Sequence, residues 1–509
     1  MNNNKYKIIV KATSIIINDY TFGDCEKLEK SFSIYNQVTH TSNIEQIEYD
    51  QNNKTLIIPK GVDIDYIEKL FNVKAYIDNN YDIIRYNLEP TLIKYLPRNE
   101  KQEEAMQFLL GQNKYYYTSK YNQLMIALNT GEGKTYLGVA YTAYMNMKTI
   151  IITASVNWLE QWEKRIIEYT NILHREICFI KGTATINSLF RKSIDEVDRH
   201  KVYLITHATI LNYANTNGWD KVGQLFNHLG IGVKIFDEAH LNFDNMVCID
   251  YHTNTFRTLY LSATPARGDE GENKIFNLYF KNVPRIELFN PDEDPRTNYI
   301  AIRYNSGLTA QEISKCVNRY GFNKMTYCDQ VVLKENFDYL MRIVMNLISA
   351  VPGKKLLFLA TNKAVQILYE WIESNYPEYH NCVGIFTSLN PNKVKALEYP
   401  IILTTSKSAG AAVDIKGLTC SIQLAEPTKS EPQNRQRLGR TRGYNTFYID
   451  IIDDDCAITR NYYINNLPMF ETYAMSIKEL RIKSKELKAQ AFKIMKDRME
   501  KGISPFIKL

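Results

Sequence analysis

At 509 residues the chain is too long for one hydrophobic core, and a domain size of roughly 150 residues divides it into about three units. With 45% hydrophobic and 23% charged residues it has a core to bury, which excludes wholesale disorder. A net charge of +6 is mildly basic, and neither requires nor excludes a polyanionic partner.

No apolar run approaches the roughly 20 residues of a membrane span, and Met1–Lys5 is not followed by a leader-like apolar stretch. A soluble intracellular protein is expected. The eight cysteines form no CxxC pair and have no histidine at ligand spacing, so neither a zinc site nor a disulfide framework is expected.

In chain order, residues 1 to about 90 alternate short β-like runs (Ile8–Val10, Ser14–Ile17, Thr55–Ile58) with helical segments near 24–35 and 63–72. This pattern predicts a small α+β accessory domain. From Leu96-Pro97-Arg98 to about 288, apolar strands alternate with amphipathic helices, the mark of βαβ units on a parallel sheet. Residues 289–298, with their two prolines, read as a linker. A second α/β series covers 299–456. Within it Leu356–Ala360 is a buried strand, and 363–374 a helix with Val365, Leu368, Tyr369 and Ile372 on one face. Residues 457–509 are expected to be helical and basic, as in Lys478-Glu479-Leu480-Arg481-Ile482-Lys483.

Three segments carry chemistry. Thr130-Gly131-Glu132-Gly133-Lys134-Thr135 follows the apolar run Leu124–Leu128 and opens a helical stretch, the strand–glycine loop–helix context of a phosphate-binding loop. Glycines let backbone N–H groups wrap phosphates, Lys134 brings a point charge, and Thr135 offers Mg2+ a hydroxyl. The full form of this loop begins with Gly, where this chain has Leu128. Next, the apolar strand Val233–Phe236 leads into Asp237-Glu238-Ala239-His240. Asp237 is a hard oxygen ligand for Mg2+, and Glu238 a base or positioner for an attacking water; a solvated acidic turn is the bland alternative. Third, Leu261-Ser262-Ala263-Thr264-Pro265 is a strand ending in hydroxyl residues.

In this order the three segments resemble the motifs of superfamily 2 helicases. The resemblance implies an α/β fold of two tandem RecA-like parallel-sheet lobes, with a small N-terminal α+β domain and a helical C-terminal segment. It implies ATP and Mg2+ as cofactors and nucleic acid as partner. It places Thr130, Gly131, Glu132, Gly133, Lys134 and Thr135 on the nucleotide, Thr135 and Asp237 on Mg2+, and His240, Ser262 and Thr264 in coupling between lobes. Gln102 is similar to the family's adenine-reading glutamine, although its local spacing departs from the common form.

Further motifs extend the resemblance over about 95–455. Thr153 and Ser155, with Gln161 and Trp162 after them, resemble the first strand-contacting motif, and Thr206 and His207 the second. Thr404, Thr405 and Ser406, with Gly410 and Asp414, resemble the fifth motif, which links nucleic-acid contact to the ATP site. Gln436-Arg437-Leu438-Gly439-Arg440 resembles the sixth, whose arginines reach the γ-phosphate. Arg442 comes one residue early, with Gly443 in its expected place.

Asp-Glu-Ala-His combined with Gln161-Trp162 is similar to the subgroup holding repair helicases, restriction translocases and phage UvsW-type branch-migrating helicases. The organisation of the chain is most similar to the phage type. That implies ATP-driven remodelling of branched or double-stranded DNA, in the cytoplasm of a bacterial host. An RNA helicase, a partner-dependent restriction translocase and a non-hydrolysing nucleic-acid clamp are the alternatives. The first 90 residues would then grip duplex DNA or brace the first lobe. The basic C-terminal helix would track DNA backbone, or face water while Leu480, Leu487 and Ile494 pack inward.

Overall fold

Strands buried on both faces read as continuous apolar runs, and runs such as Thr149–Thr153 and Val202–Thr206 are buried along their whole length. A computed structural model describes residues 7–36, 41–44, 46–51, 53–78, 85–128, 131–239, 243–262, 270–289, 296–318, 321–390, 392–406, 408, 415–441 and 443–501. Of the expected linker, 290–295 fall outside the described residues, while Thr297 and Asn298 already belong to the strand Thr297–Tyr304. The chain divides into two units, Met1–Phe289 and Asn290–Leu509.

The first unit holds a seven-stranded sheet in the order Ile177–Ile180, Val202–Thr206, Thr149–Thr153, Val233–Phe236, Arg257–Ser262, Gln123–Ala127, Arg285–Glu287. Every neighbouring pair is parallel. Register pairs Thr206 with Thr153, Ile152 with Phe236, Phe236 with Tyr260, and Ser262 with Ala127. Parallel alignment thus brings the carboxyl ends of five strands, and the segments that follow them, to one edge of the sheet.

Ahead of this sheet stands a second, five-stranded one, ordered Glu48–Asp50, Thr55–Pro59, Ser14–Asn18, Ile8–Val10, Tyr76–Ile77. The two expected helices are Phe22–Phe32 and Ile64–Phe71. Thr21 and Asp24 exchange hydrogen bonds as a capping box at the first. Leu28, Phe32, Ile58 and Val62 lie in one apolar cluster with Met246, Phe276 and Tyr279, so the small sheet has no core of its own. Phe32 and Tyr279 rings stand 5.6 Å apart. Polar ties flank the joint: Lys60 Nζ donates to Asn122 Oδ1 at 2.6 Å, and Lys281 Nζ meets Asp63 Oδ2 at 2.5 Å.

The second unit is another parallel seven-stranded sheet, ordered Val383–Phe386, Ile401–Thr405, Lys354–Leu359, Leu418–Ala425, Thr446–Asp453, Thr297–Tyr304, Ser476–Ile482. The helix expected at 363–374 spans Asn362–Asn375, with Val365, Leu368 and Ile372 buried. The helical reading of 478–483 is corrected. Ser476–Ile482 is an edge strand in register with Thr297–Tyr304 over seven residues. Two of its charges meet neighbours: Arg303 Nη1 donates to Glu479 Oε1 at 3.1 Å, Tyr463 Oη donates to Glu479 Oε2 at 2.6 Å, and Arg481 Nε meets Asp454 Oδ2 at 3.0 Å.

Helix Ser484–Glu500 follows, burying Leu487, Ala491 and Met495 at four-residue spacing, while Lys485, Lys488, Lys493 and Lys496 are exposed. Arg498 stacks on Tyr376 at 4.2 Å. Among the described residues no helix is long and apolar enough to cross a membrane.

The shared core generates a test. Phe32→Ala removes a fully buried ring at the joint and is expected to lower the stability of the first unit by about 3–5 kcal/mol, read by urea unfolding. A change below about 1 kcal/mol would show that the small sheet does not support the large one.

Candidate active site

At the carboxyl edge of the first sheet, Gly131 and Gly133 take φ of 89° and 97°, a region strained for any residue with a side chain. Gly133 is the N-cap of helix Lys134–Met145 and caps it with no side chain, so backbone N–H groups alone face an anion there. A Cβ at Gly133 would lie 2.1 Å from Gln102 Nε2. Gln102 is buried, donates from Nε2 to the Glu132 carbonyl at 2.8 Å, and accepts at Oε1 from the Arg98 N–H at 3.0 Å. Its amide is thus engaged with the phosphate-type loop from behind.

Lys134 Nζ donates to the Leu128 carbonyl at 3.0 Å and lies 3.6 Å from Glu238 Oε1. Thr135 is half-buried in the first turn of the same helix. Across the sheet, the Asp237 N–H bonds the Ile152 carbonyl at 3.0 Å, and the Ala239 N–H bonds the Leu261 carbonyl at 2.8 Å. The acidic pair is therefore stitched to the strands on both sides, with Glu238 itself at a φ of 50°. Ser262 is buried, and its carbonyl accepts the Leu128 N–H at 3.0 Å.

Asp237 Oδ2 accepts a hydrogen bond from Trp162 Nε1 at 2.7 Å. Burial, and then the Glu238 charge, hold the Asp237 carboxyl well above the ordinary carboxylate range, while the indole bond and Lys134 act against them. A buried carboxylate with charge to neutralise, and a hydroxyl at a helix start, form a hard-oxygen donor set that fits Mg2+.

Trp162 corrects an expectation. At 1% exposure it has no face to offer a nucleic-acid strand. Instead its ring fills the space left by Gly138, where a Cβ would come within 2.6 Å of Trp162 Cη2. Trp162 therefore locks the helix after the glycine loop to the carboxylate of Asp237. His207 is likewise buried, at 2% exposure, with its ring edge against Phe236 and neither ring nitrogen hydrogen-bonded. Burial pushes its imidazole down to about 4, leaving it neutral rather than a phosphate-binding cation.

What remains for a strand at this edge is backbone and caps. Thr153 is buried and donates from Oγ1 to the Ser155 carbonyl at 2.9 Å. Ser155 is the N-cap of helix Val156–Tyr169, on which Gln161 is half-buried. Thr206 caps helix His207–Asn217 by accepting the Thr209 N–H at 3.2 Å.

In the second unit the three expected contact hydroxyls are engaged internally. Thr404 Oγ1 donates to the Phe386 carbonyl at 2.7 Å, Thr405 Oγ1 to Ser408 Oγ at 3.0 Å, and Ser406 Oγ to Glu426 Oε2 at 2.6 Å. Helix Glu431–Leu438 carries Gln436, half-buried, and Arg440 follows it, buried, its N–H bonded to the Arg437 carbonyl at 3.3 Å. Thr130, His240, Thr264, Asp414 and Arg442 lie outside the described residues.

Two parallel-sheet units, one with a glycine loop and an acidic pair at its carboxyl edge, define a two-lobed nucleotide-binding fold of the helicase type. Residues 95–267 match the family described as "Type III restriction enzyme, res subunit". The chain is 27% identical over 154 residues to the DNA 3'-5' helicase XPB of Mycobacterium tuberculosis, covering 30% of this chain and 26% of that protein. It is 22% identical over 465 residues to the general transcription and DNA repair factor IIH helicase/translocase subunit XPB of Enterocytozoon bieneusi, covering 86% and 70%. It thus spans about a quarter of the first relative's length. Among solved structures, S. cerevisiae Dbp5 bound to RNA and ADP BeF3 superposes with a TM-score of 0.50 at 17% identity, over 78% of this chain and 93% of that one, a likeness of fold. Motif order, fold and these matches together make the chain similar to the superfamily 2 helicases.

The Trp162–Asp237 bond sets an expectation for turnover. Trp162→Phe keeps the ring against Gly138 and loses only the N–H, so ATP turnover is expected to fall about tenfold with unchanged unfolding; turnover at the wild-type rate would remove the bond from the mechanism.

Burial of Asp237 sets another. Its folded state holds a proton more tightly than the unfolded chain, so stability is lost as pH rises from the ordinary carboxylate value upward. Asp237→Asn is expected to raise the metal-free unfolding midpoint at pH 8 and leave it unchanged near pH 4, by calorimetry. An equal shift at both would contradict the assignment.

Proposed function

We propose that the chain is an ATP- and Mg2+-dependent motor that remodels branched or double-stranded DNA, as in branch migration, recombination, repair or fork processing. One observation carries this reading: Lys134, Asp237 and Glu238 converge at the sheet edge that also presents the helix starts at Ser155 and Thr206. Nucleotide chemistry and a phosphate-backbone track then share one face of the first unit. The relatives named as DNA helicases favour DNA over RNA.

In this mechanism Gly131, Glu132 and Gly133 cradle phosphates by backbone, and Lys134 leaves Glu238 for a phosphate oxygen. Glu238, released from Lys134, orients and deprotonates the attacking water. Thr135 and Asp237 would hold Mg2+, which would neutralise phosphate charge. Trp162 keeps the Asp237 carboxylate aimed. Gln436, Arg440 and Arg442 are assigned to the charge that develops on the transferred phosphate, and Asp414, His240, Ser262 and Thr264 to coupling nucleotide state with grip. Backbone contacts at 153–155, 206–207 and 404–406 read phosphates rather than bases, which suits a motor indifferent to sequence. The resemblance of the chain's organisation to the phage type supports the cytoplasm of a bacterial host as its setting.

Mg2+-dependent ATP hydrolysis tests the proposal, with no nucleic acid, then with single strands, duplex, a four-way DNA junction or RNA, beside Lys134→Ala. Stimulation by DNA, greatest with the junction and abolished in the variant, is the expected result. Stimulation by RNA alone would move the assignment to RNA remodelling. Absence of hydrolysis throughout would reduce the chain to a nucleic-acid clamp.

A further inference from the structure

Ser406 and Arg437 come from separate stretches of the second unit, yet both close on one buried carboxylate. Strand Ile401–Thr405 delivers Ser406, strand Leu418–Ala425 delivers Glu426, and helix Glu431–Leu438 carries Arg437. Ser406 Oγ donates to Glu426 Oε2 at 2.6 Å and accepts from Arg437 Nη2 at 2.8 Å. Arg437 Nη2 also lies 3.3 Å from Glu426 Oε2, and its Nη1 donates to the Glu426 carbonyl at 3.0 Å. Lys324 Nζ closes the group at 2.9 Å from Glu426 Oε1.

Arg437 and Glu426 side chains are 4% and 3% exposed, whereas Lys324 is 37% exposed. Two cations on one buried carboxylate, Arg437 buried with it and Lys324 at the water boundary, make a joint whose strength depends on the carboxylate's charge and not only on its shape. The joint touches both expected working ends of the unit. Ser406 ends the stretch assigned to the nucleic-acid backbone. Arg437 sits beside Gln436, and its carbonyl holds the Arg440 N–H at 3.3 Å.

We propose that Glu426 is a positioning residue that couples strand contact at 404–406 to the placement of Arg440, through Ser406 and Arg437. The coupling rests on the motor reading above. A phosphate that draws on the Ser406 hydroxyl or on Lys324 redistributes the bonds on Glu426, and the guanidinium of Arg437 follows. The segment carrying Arg440 then shifts by a hydrogen bond rather than by repacking of the core.

The test uses the full chain with Glu426→Gln, Glu426→Asp, Ser406→Ala and the Glu426→Gln/Ser406→Ala pair. It reads basal turnover, turnover saturated with four-way junction DNA, the KM for ATP, and thermal unfolding. Glu426→Gln is expected to lower the ratio of DNA-saturated to basal turnover about tenfold, with basal turnover and KM within about twofold. Glu426→Asp should recover part of the ratio. Ser406→Ala should lower the ratio as well, and the pair should lose no more than Glu426→Gln alone. Basal and saturated rates falling by one factor, an unchanged ratio, or additive losses would overturn the proposal. Should Glu426→Gln fail to fold, Glu426→Asp decides, since it keeps the charge and shortens the reach: a lowered ratio at an unchanged basal rate is expected, and a wild-type ratio would overturn the proposal. A wild-type chain unresponsive to DNA would overturn the motor reading itself, before any variant is compared.

Discussion

Parallel alignment of the first sheet is the constraint on which the candidate site depends. Five strands of different lengths finish in register, so the segments that follow them, drawn from positions 128 to 262, meet although they are far apart in sequence. A one-residue slip of Val233–Phe236 would invert its buried faces and carry Asp237 away from Trp162. The site is in this sense a by-product of the sheet, and the turns after each strand supply the chemistry.

The sheet's other end is held by charge. Lys234 and Asp250, almost fully buried, meet at 2.7 Å. Lys234 also donates to Thr253, and Asp250 accepts from Gln123 and Tyr260. This ties the start of the strand leading to Asp237 to its sheet neighbours and to helix Phe243–His252. The small N-terminal sheet adds to this hold through the apolar cluster that it shares with the large one.

The legible part of this design was local. Apolar runs and amphipathic helices marked both sheets, and Gly131, Gly133, Lys134, Asp237 and Glu238 stood in short patterns with a chemical reason for each residue. The rest was written in contacts across the chain. Ser476–Ile482 resembled a charged helix because the partners of Glu479 and Arg481 lie in Arg303, Tyr463 and Asp454. Trp162 looked like a nucleic-acid contact because nothing local shows that Gly138 makes room for its ring. Glu426 passed unnoticed, since a lone glutamate at a strand end gains meaning only beside Ser406, Arg437 and Lys324. His207, read as a contact, is a neutral buried ring.

The proposed motor would turn ATP hydrolysis into movement on branched DNA. The most direct measurement is conversion of a synthetic four-way junction with labelled arms into two duplexes by the purified chain. Conversion that requires hydrolysable ATP and is absent when a non-hydrolysable analogue replaces it is the expected result. A chain that hydrolyses ATP in the presence of the junction yet leaves the junction intact would contradict the claim.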